Sequence, residues 1–194
     1  LHPHTGKPRI AYQAASGALA YASYSGTDWT TEVVDNTGGN TYGHTSLFLN
    51  PLTVDHEPHV SYQDMTGTKL KYAYAVAGIW TRTTEDSNPN VGRFSKLRME
   101  SGTSYPHIVY MDDPTSDIKQ RYMYGPWYTE FGPSNINPTT TSLSMALGSN
   151  QYVYVSYQNV SGNLGYAKRN VTSWEASQEL ASSVGHSSIA VNSD

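Results

Sequence analysis

The chain of 194 residues contains no cysteine. That excludes disulfides, thiolate metal sites and a cysteine nucleophile, and it leaves the compartment open. Charge is scarce as well. Asp, Glu, Lys and Arg make up 14% of the residues, against roughly 25% in a typical soluble domain. The net charge is −4 and no basic run exceeds two residues, so a groove tracking nucleic-acid phosphates is not expected. No apolar stretch is long enough to insert across a bilayer as a helix. No Gly-x-Ser-x-Gly, His-Glu-x-x-His or phosphate loop occurs. The chain begins at Leu1 without a visible signal peptide, as a processed or trimmed product would.

Tyrosine is abundant instead, at 16 residues, with 16 Gly and 10 Pro. Tyr and Thr suit pleated, half-buried surfaces, while Gly, Pro and Asn punctuate. The tyrosines are also periodic. Arg9-Ile10-Ala11-Tyr12, His59-Val60-Ser61-Tyr62, His107-Ile108-Val109-Tyr110 and Tyr154-Val155-Ser156-Tyr157 are four versions of one short extended run. A tryptophan follows each, at Trp29, Trp80, Trp127 and Trp174, and an apolar alternation such as Leu47-Phe48-Leu49 or Leu143-Ser144-Met145 comes next. Self-similarity at this period marks a repeat architecture.

Each repeat reads as four strands: the leucine alternation, the run ending in tyrosine, a third strand such as Leu70-Lys71-Tyr72-Ala73, and a fourth beginning at the tryptophan. The expected fold is all-β, a β-propeller of four four-stranded blades. It forms a single repeat domain, 1–194, with repeats near 1–44, 45–94, 95–140 and 141–185 and a closing strand at 186–194. Alternation predicts a bulky and a small face on each sheet, so that blades stack radially; a two-sheet sandwich would expose one polar face per strand. Leu1 aligns with Leu49, Met99 and Met145 as the end of a truncated first strand, and Ser188-Ile189-Ala190-Val191 is a spare copy of that strand. The spare strand is expected to pair with Arg9 to Tyr12, within the chain or by exchange with a neighbour, giving a dimer or filament.

The motifs Pro58-His59-Val60-Ser61-Tyr62, Leu70-Lys71-Tyr72-Ala73, Trp80 and Gly43-His44-Thr45-Ser46-Leu47 resemble bacterial and archaeal β-propeller repeats of the pattern Pro-His-Ile-Ser-Tyr, Leu-Lys-Tyr-Ala, Trp, Gly-x-x-Ser-Leu-Ala-Leu-Asp. The resemblance covers essentially the whole chain and implies a secreted propeller without assigning an activity. The Ser-x-Asp-x-Gly-x-x-Trp box of sialidase-like propellers is absent: Gly26 and Trp29 keep its last spacing, but Ala22 and Tyr24 hold the Ser and Asp positions.

Two readings stand for the aromatic repeats. Trp29, Trp80, Trp127 and Trp174, with Tyr21, Tyr72 and Tyr166 of strand three, are candidate sugar-stacking platforms, because an aromatic face matches the C–H face of a pyranose. Equally, the tryptophans are anchors that fix each outer strand to its neighbour. His44 and His186 occupy matching positions in strand one, with Thr140 in repeat three, and are candidates to line a channel. His59 and His107 match each other ahead of strand two, where Arg9 and Tyr154 stand in the other repeats. Their variation argues against one metal site, and no metal or cofactor is expected. Asp112, Asp113 and Asp117 crowd one turn, where Asp is an ordinary turn former. Glu32 and Glu130 each follow a tryptophan by three residues, but Thr83 and Ser177 take that place elsewhere. A glycosidase would need two carboxylates facing one cleft. Asn159-Val160-Ser161 and Asn170-Val171-Thr172 are formal glycosylation sequons.

The leading expectation is a non-catalytic extracellular or cell-surface protein that recognises glycans through repeated aromatic and polar pockets. The alternatives are a subunit of a filament or surface assembly joined by terminal-strand exchange, and a polysaccharide-active enzyme.

Overall fold

The computed structural model describes residues 2, 5–37, 42–137, 139 and 142–192, and among them every regular element longer than a turn is a strand. The chain forms two compact units, Leu1–Gly92 and Arg93–Asp194. The first holds β1 (Arg9–Gln13), β2 (Leu19–Tyr24) and β3 (Trp29–Asp35) as one antiparallel sheet. It also holds β4 (Tyr42–Leu49), β5 (Pro58–Asp64), β6 (Lys69–Val76) and β7 (Ile79–Asp86) as a second. The second unit holds β8 (Val91–Met99), whose first two residues belong to the first unit, with β9 (Pro106–Asp112), β10 (Asp117–Met123) and β11 (Trp127–Phe131). Its other sheet is β12 (Leu143–Leu147), β13 (Val153–Gln158), β14 (Leu164–Arg169) and β15 (Gln178–Ala181). These sheets are the propeller-type blades that the repeat predicts.

The repeat is also written into the turns. Gly17, Thr68, Ser116 and Gly162, each two residues before the first apolar residue of strand three, all have φ between 51° and 89°. In the second repeat the left-handed residue is therefore Thr68 and not its glycine neighbour Gly67.

Register overturns the expected division of each sheet into a bulky and a small face. Tyr12 lies opposite Ala20, Val60 opposite Ala73, Ser61 opposite Tyr72 and Tyr157 opposite Gly165. Strands two and three thus pair large with small, so each face mixes both sizes, and adjoining sheets interlock through diagonals of bulky side chains. In the first unit Leu19, Tyr21 and Val34 pack with Val60, Tyr62 and Ala73. In the second, Val109, Met111 and Ile118 pack with Met145, Val155, Tyr157 and Ala167. Gly165 is required there, since a Cβ would sit 2.4 Å from the Tyr157 ring.

A buried ion pair ties the two sheets of the first unit. Asp35, at the end of β3, meets Lys71 of β6 at 2.5 Å and accepts hydrogen bonds from the Tyr62 hydroxyl at 2.7 Å and the Tyr42 hydroxyl at 3.2 Å. Burial pushes its carboxyl up, but the bonds from Lys71, Thr37 and Tyr62 outweigh this and bring it down to about 2.

Two further expectations are corrected. The C-terminal copy of strand one is not a strand. Residues 186–191 carry no ladder, and their amides turn to serine hydroxyls of the last sheet: Ser187 N–H donates to Ser142 Oγ at 2.6 Å and Ile189 N–H to Ser144 Oγ at 3.2 Å. The first sheet consequently has three strands among the described residues. Leu1 and Thr140, which entered the strand-one alignment, lie outside the described residues. In addition, the fourth strand of the last sheet starts at Gln178 and not at Trp174, which makes only an isolated bridge to Arg169. Asn170 Oδ1 accepts from the Thr172 and Ser173 amides and folds this stretch into a turn first.

Candidate functional site

The second unit contains a cleft of about 320 Å³ lined by Glu100, His107, Tyr122, Tyr124, Tyr128, Gln151, Arg169 and Val171. Sheet register builds its wall. His107 of β9 is opposite Tyr122 of β10, which is opposite Tyr128 of β11. The three rings therefore run in a row across three strands, His107 to Tyr122 at 5.8 Å and 14°, and Tyr122 to Tyr128 at 5.5 Å and 24°. Two residues along β10 on the same face, Gln120 is opposite Glu130.

From the adjoining sheet, the last residue of β14 reaches this wall. Arg169 donates to Glu130 Oε2 from Nε at 2.5 Å and to Oε1 from Nη2 at 2.7 Å, and its guanidinium lies 4.7 Å from the centre of the Tyr122 ring. The Tyr122 hydroxyl donates to Glu130 Oε1 at 2.8 Å. The pairing is bidentate and nearly fully buried on the arginine side, which fixes both planes. Burial alone pushes the Glu130 carboxyl up, but Arg169 and Tyr122 hold it below its ordinary value, while burial and Glu130 push the Tyr122 hydroxyl up.

Behind the wall runs a second chain of bonds. Gln120 Nε2 donates to His107 Nδ1 at 2.9 Å, which leaves the ring proton on Nε2 to be donated to Glu100 Oε1 at 2.9 Å. Burial keeps His107 below its ordinary pKa despite Glu100, consistent with this neutral tautomer. Tyr124 then donates to Gln151 Oε1 at 2.9 Å, from one sheet to the other, with a longer contact to Glu100 at 3.3 Å. The cleft thus has a charged, rigid floor and a lip of half-exposed tyrosines.

The first unit has a cleft at the corresponding place, about 330 Å³, lined among others by Arg9, Tyr21, Ser23, Glu32, His56 and Ala75. Position by position, Glu32 stands for Glu130, Arg9 for His107, Ser23 for Tyr122, His56 for Gln151 and Ala75 for Arg169. The glutamate is retained, but the arginine comes from a different strand and the aromatic row is gone.

The sequence candidates are distributed differently. Tyr21 lines the first unit's cleft. Tyr72 is buried and bonded through its hydroxyl to His59, and Tyr166 is partly exposed on β14. Trp80 packs edge-on against Tyr21 at 5.6 Å in the first unit's core. Trp174 packs on the second unit's core and touches Gly132 of the adjoining sheet. Each is an anchor between adjacent sheets of its own unit. Trp127 lies under the Arg121 guanidinium at 5.7 Å, and Trp29 is 47% exposed beside Tyr24. His44 sits at a bulge of β4 with φ of 50°, Phe94 at the comparable place in β8 has φ of 53°, and His186 is exposed outside any strand. In the aspartate-rich turn, Asp112 pairs with Lys119 at 2.5 Å and Asp113 with Arg93 at 3.1 Å. Trp80→Ala is expected to cost about 3 kcal/mol, read as a shift of the urea midpoint at constant slope; an unchanged midpoint would remove the anchoring role.

The sequence singles out Glu130 and His107 but does not point to Arg169, Tyr122, Tyr124 and Tyr128 as a set. The available signal was departure from the repeat: Gln120 replaces the strand-three tyrosine, and Arg169 stands where the second repeat has Ala75.

No family model matches the chain, and no curated protein matches it. Among solved structures it is similar to SapL1 lectin in complex with alpha methyl fucoside, with a TM-score of 0.66 and 14% identity over 91% of this chain and 60% of that one. It is similar to AofleA from Arthrobotrys oligospora, with a TM-score of 0.64 and 14% identity over 94% and 56%. A leech intramolecular trans-sialidase complexed with 2,7-anhydro-Neu5Ac matches with a TM-score of 0.62 and 12% identity over 89% and 31%. The chain therefore spans a little more than half the length of SapL1 lectin and of AofleA and about a third of the trans-sialidase. At these identities the likeness concerns the fold alone: the chain has the all-β, β-propeller fold that these structures share.

Proposed function

We propose that the protein is a non-catalytic, lectin-like carbohydrate-binding protein that meets its glycans outside the cell or at a cell surface. The carrying observation is the Arg169–Glu130–Tyr122 constellation set beside half-exposed tyrosines in one cleft. A fixed guanidinium offers donors and a carboxylate offers acceptors to neighbouring sugar hydroxyls, while an aromatic surface receives the C–H face. The fold neighbour SapL1 lectin, in complex with alpha methyl fucoside, supports the same reading.

Catalysis is disfavoured by the same geometry. A glycosidase acid needs a carboxyl with a raised pKa, and a nucleophile needs to be free. Glu130 is held ionised and occupied on both oxygens, and Tyr122 is pushed away from ionisation. The test is a panel of immobilised glycans with the soluble sugars as competitors. Saturable retention, reversed by one class of free sugar and without release of product, is the expected result. Retention on none of the glycans, or hydrolysis of any of them, would overturn the reading.

A further inference from the structure

We infer that the second unit's cleft is built for an oligosaccharide, with Tyr128 forming an outer subsite for the residue next to the terminal sugar. The inference rests on the carbohydrate-binding reading and adds the class of glycan to it.

The row His107, Tyr122, Tyr128 changes character along its length. His107 is buried, Tyr122 is covered by Arg169, and Tyr128 is 45% exposed. Of the charged groups, Glu100 meets His107 at the inner end and the Arg169–Glu130 pair meets Tyr122 in the middle of the row. The outer end is Tyr128, with Tyr124 44% exposed and Val171 exposed nearby. Hydroxyl recognition is therefore concentrated in the floor, and an uncovered aromatic surface lies beyond it. A single pyranose engaged with Arg169 leaves the Tyr128 ring uncovered; a second ring continuing outward covers it.

The blade itself does not call for a tyrosine at this position. The register counterparts of Tyr128 are Thr30, opposite Ser23 in β3, and Thr81, opposite Tyr74 in β7. Both are ordinary residues of an exposed outer strand. Only the sheet that walls the Arg169 cleft places an aromatic ring there, among the described counterparts. Within the fold its ring stacks on Tyr122, and its other face is left to solvent.

The substitution Tyr128→Thr installs the residue that the two sheets of the first unit carry, so folding is retained by precedent within the same chain. The probes are methyl glycosides of common hexoses, hexosamines and deoxyhexoses, each beside a disaccharide ending in the same sugar, titrated by calorimetry. In the parent protein the best disaccharide is expected to bind about tenfold tighter than its terminal methyl glycoside, the scale of one aromatic–sugar contact. In Tyr128→Thr that ratio falls to about two or less. Equal affinities in the parent protein, or a tenfold ratio that survives Tyr128→Thr, overturn the subsite while leaving the lectin reading standing. Binding of neither probe class overturns both, and the two failures are told apart by whether any methyl glycoside binds.

Discussion

Replacing Asp35 by alanine is expected to remove about 3–5 kcal/mol of stability, the penalty of leaving one member of a buried ion pair without its partner. Lys71 loses its carboxylate, and the hydroxyls of Tyr62, Tyr42 and Thr37 lose their shared acceptor. Urea denaturation followed by circular dichroism measures the loss, and a change below about 1 kcal/mol would show that the pair is peripheral to the fold. The double variant Asp35→Leu with Lys71→Met should recover part of the loss, since an apolar pair of similar volume avoids the stranded charge. The pair also predicts an acid limit. Asp35 has a folded-state pKa of about 2, below the ordinary aspartate value of 3.8. Its contribution is therefore complete above about pH 4 and disappears as pH falls through about 2, on the order of 2 kcal/mol. Asp35→Ala should flatten the stability profile across that window; an unchanged profile would assign the acid sensitivity to other carboxylates.

The largest functional effect is expected at Arg169. Arg169→Lys keeps a cation beside Glu130 but loses the planar two-point fork, and the two side chains are not interchangeable at a bidentate, ring-stacked site. Saccharide affinity should fall about 100-fold, the worth of one or two hydrogen bonds to charged groups. The melting temperature should move little, because the retained charge still neutralises Glu130. Glu130→Gln is the companion variant: it removes the carboxylate acceptor and frees the arginine from its fixed orientation, so a comparable loss is expected. Retention of parent affinity by both variants would remove the constellation from the site. Loss of affinity together with a melting temperature lowered by more than about 10 °C would instead mean that the pair holds the adjoining sheets together.

Much of the architecture is legible from residue order alone. The tyrosine that ends strand two and the tryptophan that follows strand three recur because each blade must fill the same space against its neighbour, and packing constraints repeat whenever geometry repeats. Tyr62 and Tyr157 sit in the cores of their units, as the motif predicts. The cross-strand pairing of Tyr157 with Gly165 was harder to see, because alternation within one strand does not reveal which residue lies opposite in the next. The spare strand at 186–191 shows the same limit. Its apolar spacing matches strand one, yet Ser142 and Ser144 accept the Ser187 and Ile189 amides locally, and β-propensity yields to available hydrogen-bond partners.

The candidate site was less legible, for a related reason. A repeat search rewards what recurs, and the four tryptophans recur because they anchor. The constellation of the cleft does not recur. Arg169 and Gln120 are departures from the pattern, and they become informative only when register places them across from Glu130 and His107.

The register match between the two clefts has a consequence for valency. Glu32 already occupies the place of Glu130, and Ala75 the place of Arg169. On the proposed reading, the number of saccharides one molecule can hold depends on which clefts carry both the arginine and the aromatic row, and not on how many blades it has. On that reading a lineage carrying this scaffold gains or sheds a foothold by changing a few cleft residues, and so tunes its avidity for a crowded glycan coat while most of the interior stays as it is.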